Sequence, residues 1–157
     1  MFNNTPDLNN LPQNQFAPFP EGTYKAIVEN IMRLRWVNGQ KEDLTHSKIP
    51  ETEDDIIDIK YQIIEGAQQG RPFFDNLRLW HSNKTAANIA KARLKELLQS
   101  CNKDLQAQFE DLYNIPLMIT IKHSKDVDRN GNPYVNITKI APIPKNTPTG
   151  APIDFPF

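Results

Sequence analysis

The chain has 157 residues, 13 of them proline, and a formal net charge of −1. This length fits one domain with a single hydrophobic core, and no stretch approaches the ~18 consecutive apolar residues of a membrane-spanning helix. The N-terminus lacks a basic stretch followed by an apolar run, and the one cysteine, Cys101, cannot form an internal disulfide. We therefore expect a reduced, cytoplasmic protein without membrane association.

The charge is distributed unevenly. Residues 41–58 hold two lysines and seven acidic residues, a net charge of −5. The rest of the chain holds 16 lysines and arginines against 12 acidic residues, a net charge of +4. This distribution permits a mildly positive domain that carries an acidic loop, and so permits nucleic-acid binding without requiring it.

The first strand is expected to start at Gly22. Residues 1–20 are rich in Asn, Pro and Gln, which predicts a disordered arm. Alternation over 23–37 sets Tyr24, Ala26, Val28, Met32, Leu34 and Trp36 on one side, and Lys25, Glu29, Arg33 and Arg35 on the other. A strand this long is expected to bend midway. Asn38-Gly39 predicts a turn, and residues 41–54 an exposed loop.

Four strands and a helix complete the expected core. Segments 56–64 and 71–80 alternate and predict a hairpin, in which Tyr61 has the register of the buried isoleucines. From Asn83 the apolar residues recur every three or four positions, so we predict a helix capped by Ser82 or Asn83. Alternation returns near 115–124 and at 134–140, which predicts two further strands.

These elements predict a mainly β fold. Five strands with a helix between the third and fourth are the layout of the five-stranded OB-fold barrel, a Greek key, although a sandwich with one helix also fits. The predicted organisation is an arm at 1–20, a domain at 21–141 and a flexible Pro-rich tail at 142–157.

An OB barrel suits sequence-independent binding of single-stranded DNA, because aromatic side chains stack on bases while basic ones contact phosphates. The candidate DNA-binding residues are Arg33, Arg35, Lys60, Arg71, Phe74, Arg78, Trp80, Lys122, Arg129 and Tyr134. For each aromatic the alternative is a place in the core, and for each basic residue a plain solvated charge.

The sequence also resembles a known family. FPEGTYKAIVE at 19–29 and GRPFFDNLRLWHSNKTAANIAKARLKELL at 70–98 are similar to a phage family long catalogued as a domain of unknown function. Its characterised members are OB-fold single-stranded DNA-binding proteins. The resemblance implies a role in phage DNA replication or recombination, in the host bacterial cytoplasm.

The tail carries a second resemblance. Bacterial single-stranded DNA-binding proteins end in an acidic tip closed by Ile-Pro-Phe, and residues 152–157 are similar but hold one acid instead of several. The resemblance implies that Ile153, Asp154, Phe155, Pro156 and Phe157 bind partners such as replication or recombination proteins.

Other chemistries find little support. The loop at 126–137 starts like a calcium site, but Ile137 stands where a bidentate Glu is needed. The histidines match no metal spacing and no catalytic set is visible. We expect no enzyme activity, no metal and no cofactor. The alternative function is a protein-interaction or assembly module on an OB scaffold, and whether the protein is a homo-oligomer stays open.

Overall fold

The computed structural model describes residues 18–144, which form a mainly β fold with one α-helix. The elements, in chain order, are β1 (Gly22–Val37), β2 (Gln40–Asp43), β3 (Asp55–Ile63), β4 (Pro72–Leu77), α1 (Lys84–Ser100), a short 3-10 helix (Phe109–Leu112), β5 (Leu117–Val127) and β6 (Pro133–Pro142). The expected helix and all five expected strands are present, although the strand expected over 71–80 ends at Leu77.

The strands form one antiparallel sheet in the order β4-β3-β1-β5-β6, with β2 paired to the far end of β1. The sheet has six strands rather than the five expected, because β2 adds a strand. It is also open, whereas a closed barrel was expected. Within residues 18–144, the edge strands β4 and β6 do not pair with each other. The short strand β2 escaped sequence analysis because its four residues, QKED, are all polar and exposed.

Helix α1 lies along the seam that the two edge strands leave open. Its N-cap is Asn83, as expected, whose side chain accepts a hydrogen bond from the Ala86 amide. One turn of the helix then contacts both edges. Arg93 binds both carboxylate oxygens of Asp75 on β4, at 3.0 and 3.1 Å. Glu96 accepts a hydrogen bond from the Ile140 amide on β6 at 2.8 Å, so that side chains replace the missing strand pairing at these points.

A bulge in β1 decides which side chains face the core. The register of β1 against β3 shifts between Val28 and Asn30, which is the bend expected of so long a strand. An extra residue reverses the alternation beyond it. Ile31 and Arg33 therefore lie on the core side, whereas Met32 and Trp36 turn to the opposite side. The expectation that Met32, Leu34 and Trp36 share a side with Tyr24, Ala26 and Val28 is wrong for this reason.

The core lies between the sheet and α1, and it begins before the expected domain boundary. Phe19 falls within the expected arm at 1–20, yet it is buried and packs edge-on against Tyr24 and Phe73, with ring centroids 5.2 and 5.5 Å apart. Tyr61 is fully buried, as its register predicts. No helix among residues 18–144 is long and apolar enough to cross a membrane.

Candidate nucleic-acid interface

The sheet has a second side, away from the core and α1, which we call the outer face. On all six strands it carries the side chains that point away from the core. Cross-strand partners in an antiparallel sheet point the same way, so the register identifies its members. They include Phe74 opposite Lys60, Asn76 opposite Asp58, and Pro72 opposite Gln62.

Phe74 and Lys60 form the centre of this face. Phe74 is 54% exposed, whereas its neighbour Phe73 on the same strand is 8% exposed in the core. Phe74 lies directly opposite Lys60, whose ammonium group pairs with Glu29 at 3.1 Å. The outward placement of Phe74 and Lys60 is the one that the sequence predicts. An aromatic surface and a positive charge therefore stand side by side.

Two further aromatic side chains are more than half exposed on the outer face. Trp36, 52% exposed, lies near the end of β1 opposite Lys41 of β2, and the Lys41 ammonium stands 5.5 Å from the centre of its ring. Tyr134, 54% exposed, lies on β6, where its neighbour Val135 packs towards the core. The sequence alone did not indicate Trp36 as a candidate, because the alternation was continued past Asn30 without the reversal of faces that the bulge causes.

Five lysines lie on the outer face. Its lysines are Lys25, Lys41, Lys60, Lys122 and Lys139. Lys25 pairs with the exposed Glu65 at 3.4 Å, whereas Lys122 and Lys139 make no ion pair with any residue in the range 18–144. Asp58, two residues from Lys60 on β3 and opposite Asn76, is an acid on the same face. Its partial burial raises the pKa of the carboxyl group, while Lys41 opposes that shift.

Arg33 and Arg35 do not lie on this face, and we correct their expected role. Arg33 is buried, with its Nε 2.6 Å from Asp55 and an Nη 2.8 Å from the Ile49 carbonyl. Arg35 binds the other oxygen of Asp55 and the Pro50 carbonyl at 2.8 Å. Both guanidinium groups thus tie the acidic loop to β1 and β3, and both are already bound to the carboxylate of Asp55.

Asp55 is the centre of that cluster and has no exposed surface. Burial disfavours its charged form, but hydrogen bonds from Arg35 and Arg33 outweigh burial and hold its pKa below the ordinary value. The loop, mostly exposed as expected, is therefore anchored at Ser47, Ile49 and Pro50 through their carbonyls. This anchoring was not foreseen for a segment with so many charges.

The residues that surround β4 have mixed placements. Trp80 lies beyond the end of β4, where it is half-buried and packs against the core beside α1, so it does not share the outer face with Phe74. Arg78 also follows the strand, is exposed, and donates to the Glu53 carbonyl at 3.2 Å. Arg71 stacks over Phe19, with its guanidinium carbon 4.4 Å from the ring centre. The structure therefore does not bring Trp80 or Arg71 together with Phe74 and Lys60.

The β5–β6 hairpin presents the remaining candidates. Lys122 is exposed on the outer face opposite Asn136, and Arg129 is exposed in the turn. The carboxylate of Asp128 accepts hydrogen bonds from the amides of Asn130 and Asn132 at 2.8 and 3.0 Å. The loop that resembles a calcium site is thus built as a hairpin turn. The tail candidates, Ile153 to Phe157, lie outside the described residues.

The match to a family model covers almost the whole chain. The model described as "Protein of unknown function (DUF669)" matches residues 4–152. The chain belongs to the DUF669 family. No curated protein matches it.

Within residues 18–144 of this DUF669 chain, no group of three or more His, Cys, Asp or Glu side chains could hold a metal ion. Cys101 is buried at the end of α1, and burial raises the pKa of its thiol to about 11. Nucleophilic cysteines need a lowered pKa, so a buried cysteine with a raised pKa serves packing. Asp75 faces the core and forms an ion pair with Arg93. Burial raises the pKa of its carboxyl group.

Proposed function

We propose that the protein is an OB-fold protein that binds single-stranded DNA without regard to sequence, through the outer face of its sheet. Greek-key strand order, with a helix between the third and fourth long strands, supports the OB assignment. OB folds bind oligonucleotides on the face of their second and third strands, here β3 and β4, and on the loops beside it.

The observation that carries the proposal is the pairing of an exposed Phe74 with Lys60 at the centre of that face. An aromatic ring that is more than half exposed on a strand gains little for folding, but it offers a flat surface to a base. A neighbouring lysine places a positive charge where the phosphate of the same nucleotide passes. Trp36 and Tyr134 extend this chemistry along the face.

The type of cation supports sequence independence. The basic residues on the outer face are lysines, which act as point charges, and the ion pairs that Lys60 and Lys25 make there are solvent-exposed and therefore weak. The arginines Arg33, Arg35 and Arg93 are instead held by the buried carboxylates of Asp55 and Asp75. Stacking tolerates every base because each has a π-face. A duplex hides those faces, so binding should favour single strands.

The biological setting follows from the resemblances. The phage family that the sequence resembles supports a role in protecting or organising single-stranded DNA during phage replication or recombination, in the host cytoplasm. The similarity of the tail to bacterial tips supports recruitment of partner proteins through residues 153–157. In this proposal the protein acts by binding and not by catalysis.

Fluorescence anisotropy tests the proposal directly. A labelled oligo-dT, a duplex and an RNA of equal length are titrated with the full chain at several salt concentrations. We expect tightest binding to a single strand, with a log–log salt slope of about −2 to −3.5, since three to five lysines would each contribute about 0.7. Lys60→Gln should weaken binding and flatten the slope. Lys84→Gln, at the start of α1 and away from the face, should change neither.

Equal or tighter binding to duplex, or no binding at low salt, would contradict the proposal. The second outcome would favour the alternative of a protein-interaction module. A large apolar groove beside α1, described below, is the observation that gives this alternative weight.

A further inference from the structure

A second surface of the molecule has the character of a docking site. A groove of about 840 Å³ lies between α1, the turn after β4 and the segment 103–106. Its apolar lining consists of Leu79, Trp80, Leu94, Leu98 and Leu105. Leu105 is 80% exposed, the most exposed large hydrophobic side chain of residues 18–144. Ligand-binding grooves in proteins commonly have volumes of about 300–1,000 Å³ and mostly apolar linings.

The rim of the groove is positively charged. Lys91, Lys95 and Lys103 border it, and none of them pairs with an acid among the residues that the structure describes. The one acid in the lining, Asp104, already accepts a hydrogen bond from the Gln106 amide at 2.9 Å. The groove therefore suits an apolar segment that carries negative charge.

The last seven residues of this sequence have that chemistry. Residues 151–157 read APIDFPF, with one acid and no base. In an extended chain alternate side chains point the same way, so that Ile153, Phe155 and Phe157 would share one side and Asp154 the other. Three apolar side chains in a row match an apolar floor, and Asp154 would meet the lysine rim.

The chain that precedes the tail is also long enough to pass round a helix. The described chain ends at Pro144, just after β6, whose Ile140 is bonded to Glu96 of α1. Residues 145–150 can span about 20 Å when extended. A helix with its side chains is about 10–12 Å across, so half its circumference is roughly 17 Å. Six extended residues therefore exceed half the circumference of a helix.

We propose that this groove binds residues 151–157 of the same chain in an extended conformation. The inference does not depend on the outer face binding DNA, because the two surfaces share no residue. A docked tail hides Ile153 and Phe155, so a partner protein that recognises the tail has to compete with the groove for it.

Paramagnetic relaxation on the full chain tests this proposal. A nitroxide is attached at Gly150→Cys, where labelling is selective because the native Cys101 is buried. We expect the amide signals of Leu94, Leu98 and Leu105 to be lost while the label is oxidised and to return after reduction. Those of Phe74 and Lys60 on the outer face should persist. Uniform broadening, or broadening centred on the outer face, would overturn the proposal.

A mixed sample separates this chain's own tail from that of a second copy. When labelled chains without ¹⁵N are mixed with unlabelled ¹⁵N chains, no signal should be lost. Loss in the mixture would assign the groove to another copy and overturn docking within one chain.

Matched variants identify the contact. Leu105→Glu in the groove should shift the amide signals of Ile153 to Phe157 and abolish the relaxation effect. Ile89→Glu, on an exposed part of α1 that does not line the groove, should do neither. If Leu105→Glu instead shifts the signals of residues 1–17, the N-terminal segment is the occupant and the proposal is wrong.

Discussion

Replacing Phe74 by Ala separates binding from folding at the centre of the outer face. Slightly less than half of the side chain is buried, and full burial of a Phe contributes about 1.5–3 kcal/mol. We therefore expect the change to lower the free energy of unfolding by only about 0.7–1.4 kcal/mol. Loss of a stacked base costs about 1–3 kcal/mol in binding, which is roughly a 5- to 150-fold loss of affinity.

The adjacent residue supplies the control. Phe73 is 8% exposed and packs against Phe19, so Phe73→Ala should cost about 3–5 kcal/mol of stability while the folded fraction keeps its affinity. Urea denaturation gives the stability of each variant, and oligo-dT anisotropy at low temperature gives the affinity. The reasoning is refuted if Phe74→Ala binds like the wild type, or if it destabilises as much as Phe73→Ala.

Further expectations concern the cluster in the acidic loop, the seam and the end of β1. Arg33→Met should cost about 3–5 kcal/mol in urea denaturation, because Asp55 stays buried with one partner fewer; unchanged stability with lost DNA affinity would restore the original DNA-contact role. Since the folded-state pKa of Asp55 is lowered, its stabilisation is full above the unfolded pKa of about 3.9 and is lost as the pH falls through the folded value. Urea midpoints from about pH 5 to pH 2 should therefore fall more steeply for the wild type than for Asp55→Asn; parallel curves would contradict this. Glu96→Ala should cost about 1.5–3 kcal/mol and speed exchange of the Ile140 amide, which loses its charged acceptor; an unchanged exchange rate would show that the contact does not hold the seam. Trp36→Ala should weaken oligo-dT binding by about 1–3 kcal/mol if its ring stacks on a base, and equal affinity would confine the interface to β3 and β4.

Local patterns were enough to predict most of the elements. The alternation in 56–64 depends only on neighbouring residues, and it predicts both the buried Tyr61 and the outward Lys60. The position of Phe74 follows in the same way. The Asn83 cap is a local hydrogen bond within one helical turn, so it too could be predicted from sequence.

Features that depend on long-range contacts could not be predicted. Strand β2 has no apolar residue and pairs because the Asn38-Gly39 turn brings it back along β1. The acidic loop is ordered by two arginines whose partner, Asp55, is some twenty residues away in sequence. The two strands that border the open seam are joined through side chains of α1, which bind to β4 on one side and to β6 on the other. Such contacts leave no alternation pattern in the sequence.

The bulge in β1 shows how one local irregularity changes a functional prediction. A bend was expected, but its position at Val28 to Asn30 was not, and one extra residue exchanges the two faces of everything beyond it. Arg33 and Arg35 thereby pass from candidate phosphate contacts to partners of the buried Asp55, and Trp36 passes from the side of Tyr24, Ala26 and Val28 to the outer face. The exchange removes two guanidinium groups from the proposed interface and adds an aromatic ring. This combination suits stacking on single strands better than reading of a duplex, because arginine forks are the usual readers of guanine in the major groove.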